Sequence, residues 1–473
     1  MQMPDLIKPK KRILIPIVGQ GSISHIIRTG ILQNMRAFCE PVVLLLWNQE
    51  DLIDELKSLG FEVHITPEFK VDAEYANVRR KINYWYQFFR LKTPSTKIAK
   101  NYNLSFRSTK AVIKQKTSER LLWLKLVLNP GYIKKLIATE EKTLLKQDVF
   151  ATWLNWFNTL QADGIFTVTP FLQEAELLAR MLKKKGGLLI ASIHSFDNVT
   201  KRGWPAIFFD QYFVWNKYNK KELERINPDF KQNNLINITG APQFDFHYTE
   251  NFCWPKEEWL QKLKLPACKK IVLYAGGSSN LLPHETQYLK HLVAAANEGL
   301  LGENTIILFR CHPLDNIKRW KEQTGESPLL FYDFKPPVER KLDYNNFTLE
   351  DIRRLVSTLK YTDVHVSVCS TMTVDGSVFN KPQIAPYYDL VNKSQETGLR
   401  AFYDQEHYLP IKKSKVLQFA PSPENLVEKV AKALLNPELY NTNCAECVRE
   451  IITYENGGAA ARVTEHLKKL ITQ

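Results

Sequence analysis

The sequence predicts an α/β protein made of two Rossmann-like domains that face each other across a cleft. Short apolar segments alternate with helical segments in each half, a pattern typical of parallel sheets covered on both faces. The first series begins at residues 12–18 and the second at residues 271–275. The length of 473 residues also exceeds the usual size of a single hydrophobic core.

These two series set the predicted domain boundaries. The N-terminal domain is expected over 1–240, with strands at 12–18, 42–47, 61–65, 164–168, 188–193, 212–215 and 235–238. The proline-containing segment 241–270 is interpreted as a linker. The C-terminal domain is expected over 271–456, with strands at 271–275, 305–311, 329–332, 364–368 and 383–385. A last helix at 457–473 is expected to pack back on the N-terminal domain.

A basic helical insertion is predicted at about residues 70–160, inside the N-terminal domain. Residues 66–150 contain 18 Lys or Arg against 7 Asp or Glu, which is most of the net charge of +14. Three interpretations remain open: a solvated insertion, a patch that contacts an anionic membrane, and a nucleic-acid patch, for which no binding motif is present. The candidate membrane or acceptor patch consists of Arg79, Arg80, Lys81, Trp85, Arg90 and Lys92.

Polar residues follow three apolar strands of the second half, where parallel sheets bind ligands. Arg310 and His312, the latter followed by Pro313, end one strand and suit a phosphate by charge-assisted hydrogen bonding. A turn rich in Gly and Ser follows another strand, and a turn rich in hydroxyls follows a third. Such turns offer backbone N–H and hydroxyl donors to anions. The predicted donor-binding residues are Gly276, Gly277, Ser278, Ser279, Arg310, His312, Pro313, Ser370, Thr371, Thr373 and Asp375, the last for a ribose hydroxyl.

Two histidines of the first half also follow predicted strands. His25 stands where a turn containing Gly19 and Gly21 becomes a helix, and His194 precedes Asp197 by three residues. A histidine at such an edge would accept the proton of an acceptor hydroxyl. His25, Asp197 and His194 are therefore the predicted catalytic residues, although turn chemistry and packing would also account for them.

The sequence disfavours several other classes. No Asp-X-Asp pair occurs, which disfavours transferases that hold the donor through a metal ion, and the motifs GxxxxGK[ST], HExxH and GxSxG are absent. No apolar run approaches the roughly 20 residues that span a bilayer, and the polar N-terminus shows no secretory signal. We therefore expect a cytoplasmic protein without a metal or other cofactor.

The pattern as a whole resembles the GT-B glycosyltransferase superfamily. His312-Pro313, Ser370-Thr371 with Asp375, and Lys381-Pro382 are similar to bacterial surface-polysaccharide and capsule transferases, and to CDP-glycerol glycerophosphotransferases. The resemblance implies that His312, Pro313, Ser370 and Thr371 contact the phosphate of a donor nucleotide. Non-hydrolysing UDP-GlcNAc 2-epimerases share the fold, but Thr371-Met372 stands where they have a Gly-Gly pair.

The prediction is a metal-independent glycosyltransferase of bacterial surface polysaccharide synthesis. It would move a sugar from a nucleotide-sugar donor to a glycan or lipid-linked acceptor, in the cytoplasm or at the inner face of the plasma membrane, without a nucleic-acid partner. Two alternatives stay open: a glycerol- or ribitol-phosphate transferase that uses a CDP donor, and a 2-epimerase-like enzyme or non-catalytic binding protein. The nucleotide base, the sugar and the oligomeric state do not follow from the sequence.

Overall fold

The chain divides into two compact units in a computed structural model that describes residues 9–104, 107–267, 270–278, 282–313, 315–334, 346–390 and 398–473. Unit 1 contains Met1–Thr93, Arg107–Pro242 and Ala459–Gln473. Unit 2 contains Pro94–Phe106 and Gln243–Gly458. Each unit has its own parallel sheet.

The sheet of unit 1 has seven strands in the order β3-β2-β1-β4-β5-β6-β7. All its neighbouring strands run parallel. Its central strand is Ile- and Leu-rich and completely buried from Ile13 to Ile15, as expected for a sheet covered on both faces. The strands are β1 Arg12–Ile17, β2 Glu40–Leu45, β3 Glu62–Ile65, β4 Gly164–Thr167, β5 Leu188–Ser192, β6 Gln211–Val214 and β7 Ile236–Ile238.

The sheet of unit 2 has six strands in the order β10-β9-β8-β11-β12-β13, again all parallel. The first six strands of each unit therefore follow the same doubly wound order, which confirms the two Rossmann-like halves. The strands are β8 Lys270–Ala275, β9 Thr305–Arg310, β10 Leu330–Asp333, β11 Val364–Ser367, β12 Gln383–Pro386 and β13 Leu417–Ala420.

Helices connect the strands and cover the sheets. The α-helices are α1 Gln20–Ser22, α2 Ile31–Met35, α3 Glu50–Ser58, α4 Ala73–Trp85, α5 Pro94–Leu104, α6 Thr109–Leu128, α7 Tyr132–Leu145, α8 Asp148–Thr159, α9 Gln173–Lys184, α10 Asn198–Lys201, α11 Lys217–Ile226, α12 Asp229–Gln232, α13 Lys256–Lys262, α14 Thr286–Asn297, α15 Ile317–Thr324, α16 Leu349–Tyr361, α17 Met372–Val378, α18 Leu399–Phe402, α19 Leu409–Lys413, α20 Pro423–Leu435, α21 Cys444–Ile452 and α22 Ala459–Thr472. Two segments are π-helical, Ile23–Arg28 and Tyr86–Leu91. Within the described ranges, no helix is long and apolar enough to cross a bilayer.

The basic insertion is anchored to unit 1 by buried ion pairs. Arg79 on α4 donates to Glu176 on α9 at 3.0 Å and to Glu140 on α7 at 3.2 Å, and Arg180 joins both carboxylates. Arg79 is only 5% exposed. Its assignment to a surface patch is therefore wrong, because its guanidinium is enclosed among these carboxylates.

The rest of the predicted patch is also heterogeneous. Trp85 is half-buried and packs against the hydrophobic core, while Arg80, Arg90 and Lys92 are exposed. Arg90 donates to the carbonyl of Ile226 at 3.0 Å. These residues do not form one uniform basic surface, because they differ in burial and lie on two successive helical segments, α4 and the π-helical segment Tyr86–Leu91.

The structure differs from the sequence-based boundaries at two places: helix α5, and the segment interpreted as a linker, which belongs to unit 2 from Gln243 onward. Helix α5 lies in unit 2, where the Ser95 hydroxyl accepts a hydrogen bond from the backbone N–H of Glu406 at 2.7 Å. Residues 94–106 are therefore not part of the insertion in the first unit. Strand β13 was not predicted, because four residues beside a lysine-rich segment give little periodic signal. Helix α22 belongs to unit 1, and its Arg462 donates to the carbonyl of Thr239 at 2.9 Å.

Candidate functional site

Three of the predicted donor-binding segments lie at one edge of the unit 2 sheet. They follow β9, β8 and β11, which are adjacent strands. In the register of the sheet, Ala275 pairs with Arg310 on one side and with Ser367 on the other. The strand order reverses between β8 and β11, and such a switch point is where doubly wound sheets bind ligands.

The hydroxyl-rich turn after β11 is held in a defined conformation. Cys369 adopts a left-handed backbone with a φ of 45°, which is uncommon for a residue with a side chain. The Ser370 hydroxyl accepts from the backbone N–H of Met372 at 3.2 Å, and Thr371 is exposed. Backbone strain of this kind often marks a functional turn.

Thr373 does not belong to the exposed part of this turn. Its side chain is almost completely buried, at 1% exposure, and its hydroxyl lies 3.2 Å from the hydroxyl of Tyr408. The prediction that Thr373 donates to a phosphate is therefore wrong for this structure. The residue instead fixes α17 against the segment that carries Tyr408.

Asp375 is held by a histidine that the sequence analysis did not select. The Nε2 atom of His247 lies 2.9 Å from a carboxylate oxygen of Asp375. The imidazole stacks on Phe244 at 5.0 Å between ring centroids and packs against Phe379 at 5.5 Å, and its side chain is 3% exposed. His247 was overlooked because it follows Pro242 in a segment without strand periodicity.

Arg310 shares a carboxylate with a second arginine. The guanidinium groups of Arg310 and Arg354 both bind Asp333, whose side chain is 1% exposed. Burial acts to raise the pKa of Asp333, but the two guanidinium groups hold that pKa below its usual value. One carboxylate cannot neutralise two arginines, so the cluster keeps a net positive charge, as an anion site requires. Arg354 lies within α16, away from any strand end, and was therefore not predicted.

His312 is neutral near pH 7. Burial lowers the pKa of its imidazole from the usual value, although the carboxylate of Asp315 acts in the opposite direction. The idea that both Arg310 and His312 bring positive charge is thus wrong for the free protein. A neutral imidazole still offers one N–H donor and one acceptor. Pro313, which follows it, is exposed.

The glycine-rich turn after β8 is partly occupied by a buried glutamate. The backbone N–H of Gly277 donates to Glu285 at 2.8 Å. The prediction that this N–H binds a phosphate is therefore wrong for this structure. Gly276 allows close packing, because a Cβ there would lie 2.9 Å from both Phe309 and Trp320. Ser278 is largely buried, and Ser279 lies outside the described residues.

We expect Glu285 to make the stability of the protein depend on pH. Burial raises the pKa of its carboxyl to about 8, against an ordinary value of 4.5. A carboxyl with a raised folded-state pKa stabilises the fold fully below pH 4.5, and this contribution is lost as the pH rises through 8. Urea unfolding at pH 6 and pH 8 should therefore show a larger loss for the wild type than for Glu285→Gln, by about 1.4 kcal/mol per pH unit. Equal losses would show that the carboxyl is ionised throughout.

In unit 1 the structure brings the two predicted histidines together. The rings of His25 and His194 are 6.2 Å apart in an edge-to-face arrangement. The Nε2 atom of His25 lies 3.1 Å from the Ser192 hydroxyl. His25 itself belongs to the π-helical segment Ile23–Arg28, and such segments are often found at functional sites. His25 is fully buried, whereas His194 is partly exposed. His194 is therefore the more exposed member of this histidine pair, although its Nδ1 atom is buried.

His194 also contacts the glycine-rich turn after β1. A Cβ on Gly21 would lie 2.3 Å from Nε2 of His194, so a larger residue there would displace the imidazole. Burial lowers the pKa of His194 to about 4, while the nearby Asp197 acts to raise it. The imidazole is therefore neutral at pH 7. Asp197 pairs with Lys201 at 3.2 Å.

No cluster of three or more His, Cys, Asp or Glu placed to hold a metal ion occurs within the described ranges. That the reaction needs no metal ion stays a prediction, because the side chains of the protein alone do not decide what the reaction requires. The site in unit 2 is instead built from cations, hydroxyls and a neutral histidine.

The structure is similar to solved UDP-sugar enzymes. A putative UDP-N-acetylglucosamine 2-epimerase from Listeria monocytogenes has a TM-score of 0.55 at 11% identity, with 98% of this chain and 96% of that chain covered. S. aureus MnaA with UDP has a TM-score of 0.54 at 10% identity, with 98% of each chain covered. UDP-GlcNAc 2-epimerase from Neisseria meningitidis bound to UDP-GlcNAc has a TM-score of 0.54 at 8% identity, with 97% and 100% covered. At these identities the similarity shows the fold, which is GT-B.

No curated protein matches the sequence. The family model described as CDP-Glycerol:Poly(glycerophosphate) glycerophosphotransferase matches residues 207–469, more than half of the chain and all of the unit 2 sheet. The match makes this chain a GT-B-type transferase that uses a nucleotide-linked donor. The chain belongs to the CDP-glycerol:poly(glycerophosphate) glycerophosphotransferase family.

Proposed function

We propose that this chain transfers glycerol phosphate, or a closely related polyol phosphate, from a CDP-linked donor to a hydroxyl of a cell-wall polymer. The family match over residues 207–469 carries the proposal, because it includes every segment of the unit 2 site. The alternative weighed from the sequence thus becomes the preferred function. Transfer of a sugar, the first expectation, stays a prediction.

The chemistry is displacement at phosphorus. An acceptor hydroxyl oxygen attacks the phosphorus that bears the polyol, and a new P–O bond forms there. The P–O bond to the bridging oxygen breaks, CMP leaves, and the acceptor proton passes to a base. Catalysis of such a transfer depends mainly on positioning and on stabilising the charge of the phosphoryl oxygens.

The groups of unit 2 match the needs of a diphosphate. The surplus positive charge of Arg310 and Arg354 around Asp333 would bind phosphoryl oxygens, and the neutral His312 would donate one further hydrogen bond. The exposed Thr371 beside the turn at Ser370 would add hydroxyl and backbone donors. These roles use groups at the ends of β9 and β10, in the turn after β11 and on α16.

Asp375 has a separate proposed role. One of its oxygens lies 2.9 Å from Nε2 of His247, which orients the carboxylate. The carboxylate would then accept from a ribose hydroxyl of the donor. This role also explains why His247 is held between two aromatic rings, since a fixed imidazole keeps the carboxylate in one position.

In unit 1, His194 is the proposed base. Its neutral imidazole would receive the proton of the acceptor hydroxyl. The buried His25 would act as a positioning residue through the contact of the two rings, with its own ring held at the Ser192 hydroxyl. Asp197 would favour the protonated form of His194, in the direction in which it already shifts the pKa.

An isotope experiment separates the two functions. CDP-glycerol labelled with ³²P at the phosphate next to glycerol should give a labelled polymer and unlabelled CMP. Nucleotide sugars labelled with ¹⁴C in the sugar should give no labelled polymer under the same conditions. Sugar incorporation without phosphorus would overturn the proposal and restore the first expectation.

We expect a cytidine nucleotide to stabilise the protein against heat. A ligand at 100 times its Kd adds about 2.7 kcal/mol, which corresponds to a rise in Tm on the order of several degrees. The rise with CDP should be largest among CDP, UDP, GDP and dTDP, unchanged by EDTA, and lost in His312→Ala. His64→Ala, on edge strand β3, is the matched control. An unchanged shift in His312→Ala would remove His312 from the donor site.

A further inference from the structure

Helix α5 belongs to unit 2, although residues 1–93 and 107–242 belong to unit 1. Ser95 and Tyr102 stand about two helical turns apart and therefore lie on the same face of α5. This face is buried, since Ser95 is 1% exposed and Tyr102 is 6% exposed. It packs against α18 and against the 3₁₀-helical segment Glu406–Tyr408. The helix thus completes the packing of unit 2 with residues from the middle of the unit 1 sequence.

Two contacts fix α5 to residues 402–408, which we call the support segment. The ring of Tyr102 packs edge-to-face on Phe402, with 4.5 Å between the ring centroids. The Ser95 hydroxyl accepts a hydrogen bond from the backbone N–H of Glu406 at 2.7 Å. Edge-to-face aromatic pairs add stabilisation beyond the burial of their surface, so α5 holds the support segment at two points.

The support segment in turn contacts the hydroxyl-rich turn after β11. The thiol of Cys369 lies 3.3 Å from the carbonyl oxygen of Phe402. The hydroxyl of Tyr408 lies 3.2 Å from the hydroxyl of Thr373 and 3.4 Å from the carbonyl oxygen of Ser370. Three residues of the turn are therefore held by this one segment.

The hydroxyl-rich turn needs such support because its backbone is strained. Cys369 has a φ of 45°. A left-handed backbone at a residue with a side chain persists only where the surrounding structure enforces it. Contacts from the support segment to both sides of Cys369 therefore help to keep the turn in its observed conformation.

We propose that α5 is a positioning element of the donor site. It holds the support segment against the hydroxyl-rich turn, and this keeps the hydroxyl and backbone donors of the turn in the arrangement that binds the donor diphosphate. A site already in its binding arrangement does not lose affinity to the ordering of a loop. The inference rests on the proposed role of this turn in donor binding. It adds to that site a helix that lies outside the family match over residues 207–469.

Hydrogen exchange of the full chain measures the turn without any ligand. Tyr102→Ala should raise the exchange rate of the backbone N–H groups of residues 369–373 at least about tenfold, because the turn opens more easily. Exchange in strand β8 of the same unit should stay unchanged, which separates a loosened turn from a general loss of stability. Tyr102→Phe keeps the ring that packs on Phe402 and should exchange like the wild type.

Two further variants complete the exchange experiment. Ser95→Ala removes only the hydrogen bond to Glu406, so it should raise exchange in the turn by a smaller factor and retain folding. The matched control is Phe208→Ala, which removes an edge-to-face contact with Phe230 in unit 1, at 5.3 Å between ring centroids. This control should leave exchange in residues 369–373 unchanged.

The affinity for CDP, measured by calorimetry, tests the consequence for the site. Tyr102→Ala should raise the Kd of CDP about tenfold, which corresponds to about one molecule in ten with the turn in its binding arrangement. Tyr102→Phe should restore the wild-type Kd. Unchanged exchange in the turn of Tyr102→Ala, equally faster exchange in β8, or an unchanged Kd would each overturn this inference alone. A wild-type chain that binds no CDP would instead overturn the proposed function.

Discussion

Replacing Gly21 by alanine should reduce kcat about 100-fold while leaving the protein folded. The new Cβ would lie 2.3 Å from Nε2 and 2.5 Å from Cε1 of His194, so the imidazole must move. A displacement of about 1 Å at a catalytic group can cost this much in rate. The stability should change little, because the ring is the movable end of a side chain.

Steady-state kinetics with the labelled donor, together with Tm, would measure both effects. Gly131→Ala is the matched control, since its Cβ would meet only Asn129, at 3.3 Å. In the double variant Gly21→Ala with His194→Ala, the glycine substitution should cost nothing further, because its collision partner is gone. Full activity of Gly21→Ala would exclude His194 as the base, and a further loss in the double variant would show another role for the turn.

Replacing Arg79 by alanine should destabilise the protein by about 3–5 kcal/mol. Arg79 binds Glu176 at 3.0 Å and Glu140 at 3.2 Å, and the two carboxylates are almost completely buried. Arg180 alone would then face both of them. Removing one partner of a buried ion pair leaves an uncompensated charge, which is the costly case.

Arg80 provides the control one residue along the same helix. It is exposed and donates to Asn77 at 2.8 Å, so Arg80→Ala should change the stability by less than about 0.5 kcal/mol. Thermal unfolding should show a Tm lower by on the order of 10 °C for Arg79→Ala alone. Similar Tm values for the two variants would contradict the buried position of Arg79 and return it to the surface patch.

The strands were predictable because each is an apolar run with a polar end. Burial on both faces of a parallel sheet requires such runs, so twelve of the thirteen strands in the described part of the chain were located from the sequence. The same rule placed Arg310 and Ser370 at strand ends, and the strand order then put their strands on either side of β8. Helix α5 could not be assigned to unit 2, because its contact with Glu406 joins residues over 300 positions apart.

Most of the wrong or missed site assignments concern side chains whose contacts lie far away in the sequence. Arg79 and Arg80 are identical in sequence terms, and only the approach of α7 and α9 makes one of them part of a buried cluster. Thr373 looked like its neighbour Thr371, but Tyr408 covers it. His247 and Arg354 were overlooked for the same reason, since their partners Asp375 and Asp333 lie far away in the chain.

The sequence by itself determined the two Rossmann-like halves, the edge of each sheet where chemistry is expected, and the concentration of positive charge in one segment. These follow from hydrophobic periodicity and composition, which are local properties. The tertiary structure decided which arginines are enclosed by carboxylates and which of the two histidines in unit 1 is partly exposed. Burial and charge compensation depend on contacts between distant residues, so they exist only once the chain is folded.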